Sequence, residues 1–85
     1  MSKSTRFIGL DDSKESIEVA IAEAGRDGEV RRFGVIPNTP AALRKLVRRL
    51  GRPKELHFAY EAGPGGYGIL RELLSLGASC IVAAP

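Results

Sequence analysis

The stretch Arg-Phe-Ile-Gly-Leu-Asp at positions 6–11 decides the fold that this sequence predicts. It is short, apolar and uninterrupted, and turn-forming residues follow it at 12–14. Such a run is typical of a strand that is buried on both faces of a sheet. We therefore expect the first strand to lie centrally in the sheet and to end at Asp11.

Two more strands are expected next. Residues 17–22 alternate between β-branched side chains and small or acidic ones, which is the period of a strand with one apolar face. Gly-Arg-Asp-Gly at 25–28 predicts a hairpin turn, and residues 29–36 form the third strand. The chain thus opens as a three-stranded antiparallel meander.

The second half alternates helices with strands. Thr39 is a suitable N-cap, Pro40 fits the first helical position, and Gly51 fits the position after the helix. Between them runs an amphipathic apolar stripe: Leu43, Leu46, Val47 and Leu50. A strand at 55–60, a second helix over 69–74 closed by Gly77, and a last strand at 80–83 complete the pattern.

The predicted order is β-β-β-α-β-α-β, which indicates an α/β fold with a mixed five-stranded sheet and helical cover. Right-handed crossovers would place the strand ending at Tyr60 beside the first strand and parallel to it. That arrangement is the ribonuclease H-like order.

Length and composition exclude several classes of protein. The chain has 85 residues, enough for one small domain, and its 44% hydrophobic and 27% charged residues are typical of a globular protein. No apolar run approaches the ~20 residues that a membrane helix needs, and the apolar stretch at 7–10 is too short for a signal peptide. The single cysteine, Cys80, has no internal disulfide partner and favours a reducing compartment. We expect a cytoplasmic protein that does not bind membranes.

Two carboxylates are candidates for chemistry. Asp11 ends the first strand and Glu61 ends the fourth, so both lie at the carboxyl edge of a parallel pair, where open α/β sheets place their sites. Together they could hold Mg²⁺, and a pair of such ions would serve phosphodiester chemistry. The alternative is that Asp11 caps a turn and Glu61 is solvated. Alternation places Asp12 on the opposite side from Asp11, as a turn or surface residue.

Basic residues cluster between positions 38 and 54, where the sequence has six of them and no acidic residue, against a net charge of +3. Five of them are candidate contacts to nucleic-acid phosphates: Arg44, Lys45, Arg48, Arg49 and Arg52. Arg44, Arg48 and Arg52 follow a spacing of four and form a ridge. The alternative is an ordinary solvated helix face.

Four other features have a structural reading beside the functional one. Gly-Pro-Gly-Gly at 63–66 could cradle a phosphate, but a tight turn is the simpler interpretation, because the Lys-Ser/Thr ending of a Walker A loop is missing. Tyr67 could stack on a base or pack on the helix end. We expect His57 to be structural and Cys80 to be a small buried hydrophobe.

Segments 7–14, 36–40, 60–68 and 82–85 (Phe-Ile-Gly-Leu-Asp-Asp-Ser-Lys, Ile-Pro-Asn-Thr-Pro, Tyr-Glu-Ala-Gly-Pro-Gly-Gly-Tyr-Gly and Val-Ala-Ala-Pro) resemble a known family. They are similar to the N-terminal domain of DEDD transposases of bacterial insertion sequences, of the IS-one-ten type. The resemblance covers nearly the whole chain and implies a RuvC-like, ribonuclease H-like domain. It assigns Asp11 as the first Asp of the catalytic tetrad and Glu61 as its Glu.

The same resemblance implies cofactors and partners. The cofactor would be Mg²⁺ or Mn²⁺, bound weakly or not at all by these residues alone, and the partner would be DNA, as insertion-sequence ends and target. Some relatives act with a structured guide RNA, so the resemblance permits RNA, and it implies a homo-oligomer at full length. The family's two remaining Asp residues lie after the Val-Ala-Ala-Pro segment, whereas here no acidic residue follows Glu72. We therefore expect residues 1–85 to be the N-terminal part of a single domain, truncated at its C-terminus and inactive alone.

Two other functions stay open at this point. The chain could be a non-catalytic nucleic-acid-binding module or a transposase remnant, which the missing half of the tetrad favours. It could also be a nucleotide-binding domain of the actin and sugar-kinase type, which shares the core order. That type needs a Gly after the strand-end Asp, and residues 12–14 contain none.

Overall fold

The computed structural model describes residues 6–23, 30–61 and 67–83. The elements are β1 (Arg6–Asp12), β2 (Ser16–Glu23), β3 (Val30–Pro37), α1 (Pro40–Leu50), a 3₁₀ turn (Pro53–Glu55), β4 (Leu56–Glu61), α2 (Gly68–Ser75) and β5 (Ser79–Ala83). This confirms the predicted order of strands and α-helices. The predicted hairpin at 25–28 and the glycine-rich loop at 63–66 lie outside the described residues.

The five strands form one mixed sheet in the order β3-β2-β1-β4-β5. β1 runs antiparallel to β2 and parallel to β4, and β4 runs parallel to β5. The central position of β1 and its parallel pairing with the fourth strand are therefore confirmed. A β-bulge between Val19 and Ala20 shifts the register of β2 against β3.

Both α-helices pack on one face of the sheet and bury one side of the strands. The core is a single apolar cluster that includes Ile8, Leu10, Val19, Leu46, Leu56, Phe58, Tyr60 and Leu73. α1 begins as predicted, because the Thr39 hydroxyl accepts a hydrogen bond from the Ala42 amide at 3.1 Å. It ends at Leu50, before Gly51, whose φ of +133° disfavours any other residue.

The opposite face of the sheet is open, and here one expectation was wrong. β1 is buried on one face only, because Phe7, Gly9 and Asp11 point away from the helices and no other described element covers them. Phe7 is 48% exposed, and Ile81 on the edge strand β5 is 70% exposed. The uninterrupted apolar run thus provides a core face and an apolar surface. Neither α-helix in the described part of the chain is long and apolar enough to cross a membrane.

Candidate metal and nucleic-acid site

Asp11 and Glu61 lie side by side on the open face. Leu10 pairs with Tyr60 across the parallel strands β1 and β4, and the two carboxylate residues follow directly. Leu10 and Tyr60 point into the core, so alternation turns the next residue of each strand to the open face, where both are exposed. Adjacent strands are about 4.8 Å apart, so one ion between the two side chains could contact both.

An open cavity of about 630 Å³ lies on this face, and both carboxylates line it. Its floor is made of small residues on the three central strands, because Gly9 pairs with Ala20 on one side and with Ala59 on the other. A Cβ atom added at Gly9 would meet nothing within 4 Å, so the space above the floor is free. A ligand could therefore reach the strand ends from this side.

Two charged residues that sequence reasoning did not select also line the cavity. Glu18 on β2 is the direct cross-strand partner of Asp11, and its Oε2 lies 2.7 Å from Nη2 of Arg32 on β3. The alternation of residues 17–22 placed Glu18 on the face away from the core. The register that sets it opposite Asp11, and the reach of Arg32 to it, came only from the structure.

Asp12 has a different environment from Asp11. It is half-buried, and its Oδ1 accepts a hydrogen bond from Asn38 Nδ2 at 2.7 Å. The same Asn38 amide donates to the Ser13 carbonyl oxygen at 2.7 Å. Asp12 thus fastens the end of β1 to the segment before α1, as a turn residue would. Asn38 is a third residue that the sequence pattern did not single out.

The donor set fits a hard divalent cation only in part. Asp11 and Glu61 provide oxygen ligands, which Mg²⁺ prefers, and Mg²⁺ commonly takes one or two carboxylates with water and phosphate oxygens. Among the described residues, no three His, Cys, Asp or Glu side chains are grouped closely enough to hold a metal ion. The chain therefore offers two adjacent carboxylates and no third protein ligand in its described part.

The five predicted nucleic-acid contacts are exposed, but they lie on the helix layer, away from the carboxylate pair. Arg44 is 3.3 Å from Glu72 of α2, and the Arg49 guanidinium lies 5.8 Å from the Phe33 ring centroid. Arg52 follows the end of α1 instead of continuing its ridge. The last turn of α1 lies beside Arg6, whose Nη1 donates to the Leu50 carbonyl oxygen.

Arg6 begins β1 and Asp11 lies five residues further, a distance of about 17 Å along a strand. The basic last turn of α1 and the carboxylates thus occupy opposite faces and opposite ends of the sheet. The fold brings Asp11 and Glu61 together, and it does not bring the basic residues to them.

The remaining candidates have structural environments. The His57 ring stacks on Phe7 with centroids 5.4 Å apart on the open face. Cys80 is half-buried against the core, and burial raises the pKa of its thiol, which disfavours the reactive thiolate. The Tyr60 hydroxyl accepts a hydrogen bond from the Leu70 amide at 3.2 Å, and Tyr67 is 54% exposed at the start of α2.

Two curated relatives resemble the chain over 93% of its length. One is "Putative transposase y4qE" from Sinorhizobium fredii, 42% identical over 80 residues. The other is "Transposase for insertion sequence element IS1533" from Leptospira borgpetersenii, 34% identical over 80 residues. The chain spans only 20% and 23% of these proteins. No family model matches the sequence.

Solved structures support the fold alone. YeaZ from Pseudomonas aeruginosa superposes on 94% of this chain with a TM-score of 0.52 and 18% identity, and the match covers 43% of YeaZ. YeaZ has an ASKHA-type fold, whereas the sequence predicts a ribonuclease H-like one. The likeness thus supports a mixed α/β sheet with two helices and does not choose between the two fold families.

Proposed function

We propose that this chain is the N-terminal part of a ribonuclease H-like, RuvC-like transposase domain of the DEDD type. In the longer protein Asp11 and Glu61 would be catalytic ligands of Mg²⁺ or Mn²⁺ for DNA strand cleavage and transfer. One observation carries the proposal: two carboxylates end adjacent parallel strands at the carboxyl edge of the sheet. The central position of β1 and the names of the two curated relatives support it.

The chain's own residues would fix and expose the carboxylates. Leu10 and Tyr60 anchor the two strand ends in the core, which sets the spacing and direction of the residues that follow. The floor of Gly9, Ala20 and Ala59 leaves room for a nucleic-acid backbone above the sheet. When bound, a divalent ion would stabilise negative charge on the oxygens of the reacting phosphodiester.

The proposed domain is incomplete in this chain. The family's tetrad has four acidic ligands, of which this chain would supply two. The open face also exposes Phe7, Val30 and Ile81, which a complete domain would bury. The relatives' much greater length is consistent with further segments that cover this face and supply the missing carboxylates. Residues 1–85 alone should therefore show negligible recombination activity.

The basic residues of the helix layer would bind phosphates of DNA apart from the reacting strand. Lys45 and Arg48 are exposed, as is Arg49, whose guanidinium lies over the Phe33 ring. Each neutralised phosphate adds to a salt-dependent affinity. Changing Arg48, Arg49 and Arg52 together to Gln should lower both the affinity for duplex DNA and its salt dependence, measured by fluorescence anisotropy. An unchanged affinity with an unchanged salt dependence would show that this surface does not bind DNA.

Paramagnetic NMR on the 85-residue chain tests the metal site. Mn²⁺ added to the ¹⁵N-labelled chain should broaden the amide signals of Asp11, Glu61 and the cavity floor before all others. Asp11→Asn and Glu61→Gln should each remove this selective broadening, whereas the matched control Asp12→Asn should keep it. Broadening that survives in Asp11→Asn and disappears in Asp12→Asn would reverse the assignment.

The same titration separates the rival function. A chain that binds duplex DNA without selective broadening at Asp11 and Glu61 would be a nucleic-acid-binding module or remnant. The half-complete ligand set of the described residues is the observation that keeps this second function open.

A further inference from the structure

We propose that Arg32 is a phosphate-binding residue of the carboxylate site, held in place by Glu18. It would take a non-bridging phosphate oxygen of the nucleic-acid strand that lies over the cavity floor. This inference rests on the proposed function, because it assigns the strand's phosphate a contact beside the Asp11 and Glu61 pair.

The position of Arg32 follows from the register of three strands. Arg32 on β3 pairs with Ala20 on β2, and Ala20 pairs with Gly9 on β1. Two strand spacings, about 10 Å, therefore separate the backbone of Arg32 from that of β1. Arg32 lines the same cavity as Asp11 and Glu61, so its side chain borders the space where a ligand of the pair would lie.

Charge gives Arg32 its role. The residues that line the cavity include the acidic Asp11, Asp12, Glu18 and Glu61, and within the described residues Arg32 is the cation among them. The Asp12 carboxylate is bound by Asn38, so Asp11, Glu18 and Glu61 supply the remaining carboxylates. A divalent ion on Asp11 and Glu61 would neutralise the charges of those two side chains. A phosphate bound next to the ion would still be repelled by the remaining carboxylate charge. A guanidinium is suited to this position, because its planar donors bind phosphate with directed hydrogen bonds.

Glu18 acts as the holder of Arg32 in this arrangement. Directly opposite carboxylates on neighbouring strands repel, and Glu18 lies directly opposite Asp11. Its ion pair with Arg32 at 2.7 Å draws Glu18 towards β3. A guanidinium has five N–H donors, and the Arg32 side chain is 71% exposed, so donors stay accessible to a phosphate.

The experiment uses the dinucleotide pTpT as probe and the neighbouring arginine as control. Arg31 pairs with Ile21, which packs against the core, and Arg31 does not line the cavity. Arg31→Gln therefore removes the same charge from the same edge strand, but from a side chain that does not line the cavity. Binding is followed by ¹H–¹⁵N chemical shifts of the cavity-floor amides at saturating Mg²⁺, with Mg²⁺ alone as reference.

We expect Arg32→Gln to weaken pTpT binding about tenfold, the loss of one charge-assisted contact, and Arg31→Gln less than about twofold. Arg32→Lys should fall between them, because it keeps the charge and loses the planar donors. Thermal unfolding should be unchanged in all three variants, and Mg²⁺ affinity should not fall in any of them, which excludes a merely structural effect.

The outcomes separate the two proposals. If Mg²⁺ binds at Asp11 and Glu61 and both Gln variants weaken pTpT equally, Arg32 has no specific role and only this inference fails. The same holds if Mg²⁺ binds there and pTpT leaves the floor amides unshifted in the wild-type chain. If Mg²⁺, added to a concentration high enough to reveal weak binding, does not shift Asp11 or Glu61, or shifts them equally in Asp11→Asn, the proposed function fails and this inference fails with it.

Discussion

Asn38 Nδ2 donates a 2.7 Å hydrogen bond to Asp12 Oδ1, across 26 positions of sequence. The Asn38 backbone amide also donates to the Glu15 carbonyl oxygen at 3.1 Å. One residue thus joins the end of β1, the turn that follows it and the entry to α1. These bonds hold the strand end that carries Asp11, and they occupy Asp12 with a structural partner.

Asn38→Ala should destabilise the chain, because it leaves the half-buried Asp12 carboxylate and the Ser13 carbonyl without their common donor. A hydrogen bond to a charged group contributes about 1.5–3 kcal/mol, so the loss should fall in that range. Urea unfolding followed by circular dichroism measures it.

Asp12→Asn is the matched variant for this contact. It replaces one acceptor oxygen with an amide but keeps the Ser13 carbonyl as a partner of Asn38, so we expect a smaller loss of stability than in Asn38→Ala. Equal stability of Asn38→Ala and the wild-type chain would show that these bonds contribute nothing to the fold.

Tyr60→Phe should destabilise α2. The Tyr60 hydroxyl accepts a hydrogen bond from the Leu70 amide in the first turn, and the side chain of the N-cap residue Tyr67 makes no capping hydrogen bond. First-turn amides have no partner within their own helix, so removing this acceptor should cost about 0.5–1.5 kcal/mol. Urea unfolding at neutral pH gives the value, and an unchanged midpoint would contradict it.

The same tyrosine predicts a dependence on pH. Burial raises the pKa of Tyr60 above its usual value of 10.0. The folded chain therefore binds this proton more tightly than the unfolded chain does. The stabilisation that comes from this difference in proton binding is fully present below pH 10, and it is lost as the pH rises through the pKa of Tyr60 in the folded chain. Tyr60→Phe should lose less stability than the wild-type chain over that alkaline range.

Much of the fold could be predicted because local signals agree with the tertiary structure. Thr39 and Pro40 mark the start of α1, and Gly51 at positive φ marks its end, so their chemistry alone places the helix. The alternation of β4 correctly separated the buried Leu56, Phe58 and Tyr60 from the residues of the open face. These signals act within a few residues, which is why the sequence carries them.

The features that could not be predicted depend on register. The partnership of Glu18 with Asp11 requires the pairing of β2 with β1, and the reach of Arg32 to Glu18 depends on the bulge between Val19 and Ala20. A shift of one residue would turn each side chain to the other face. The prediction that β1 is buried on both faces is wrong for a related reason. An apolar run does not show whether helices will cover one face of the sheet or both.

ATP should not stabilise the chain. The likeness to YeaZ concerns the fold, and the cavity at the end of β1 has several carboxylates with no glycine directly after Asp11 to admit a phosphate. Since ligand stabilisation requires binding to the native state, Mg²⁺-ATP should raise the Tm by less than about 1 °C. A larger rise that disappears in Asp11→Asn would favour a nucleotide-binding domain instead.

Ile81→Lys should keep the chain monomeric without loss of stability. Ile81 is 70% exposed on β5, an edge strand without a charged residue, and it borders an apolar groove of about 500 Å³ with Phe7 and His57. Exposed apolar faces and uncharged edges promote association, so the wild-type chain should self-associate with rising concentration in sedimentation velocity. Leu74→Lys is the matched control, since Leu74 is 52% exposed on α2, on the other side of the sheet. Only Ile81→Lys should suppress association, and both variants should stay within about 0.5 kcal/mol of the wild-type unfolding free energy.

Equal association of the two variants would mean that the open face and β5 do not drive self-association.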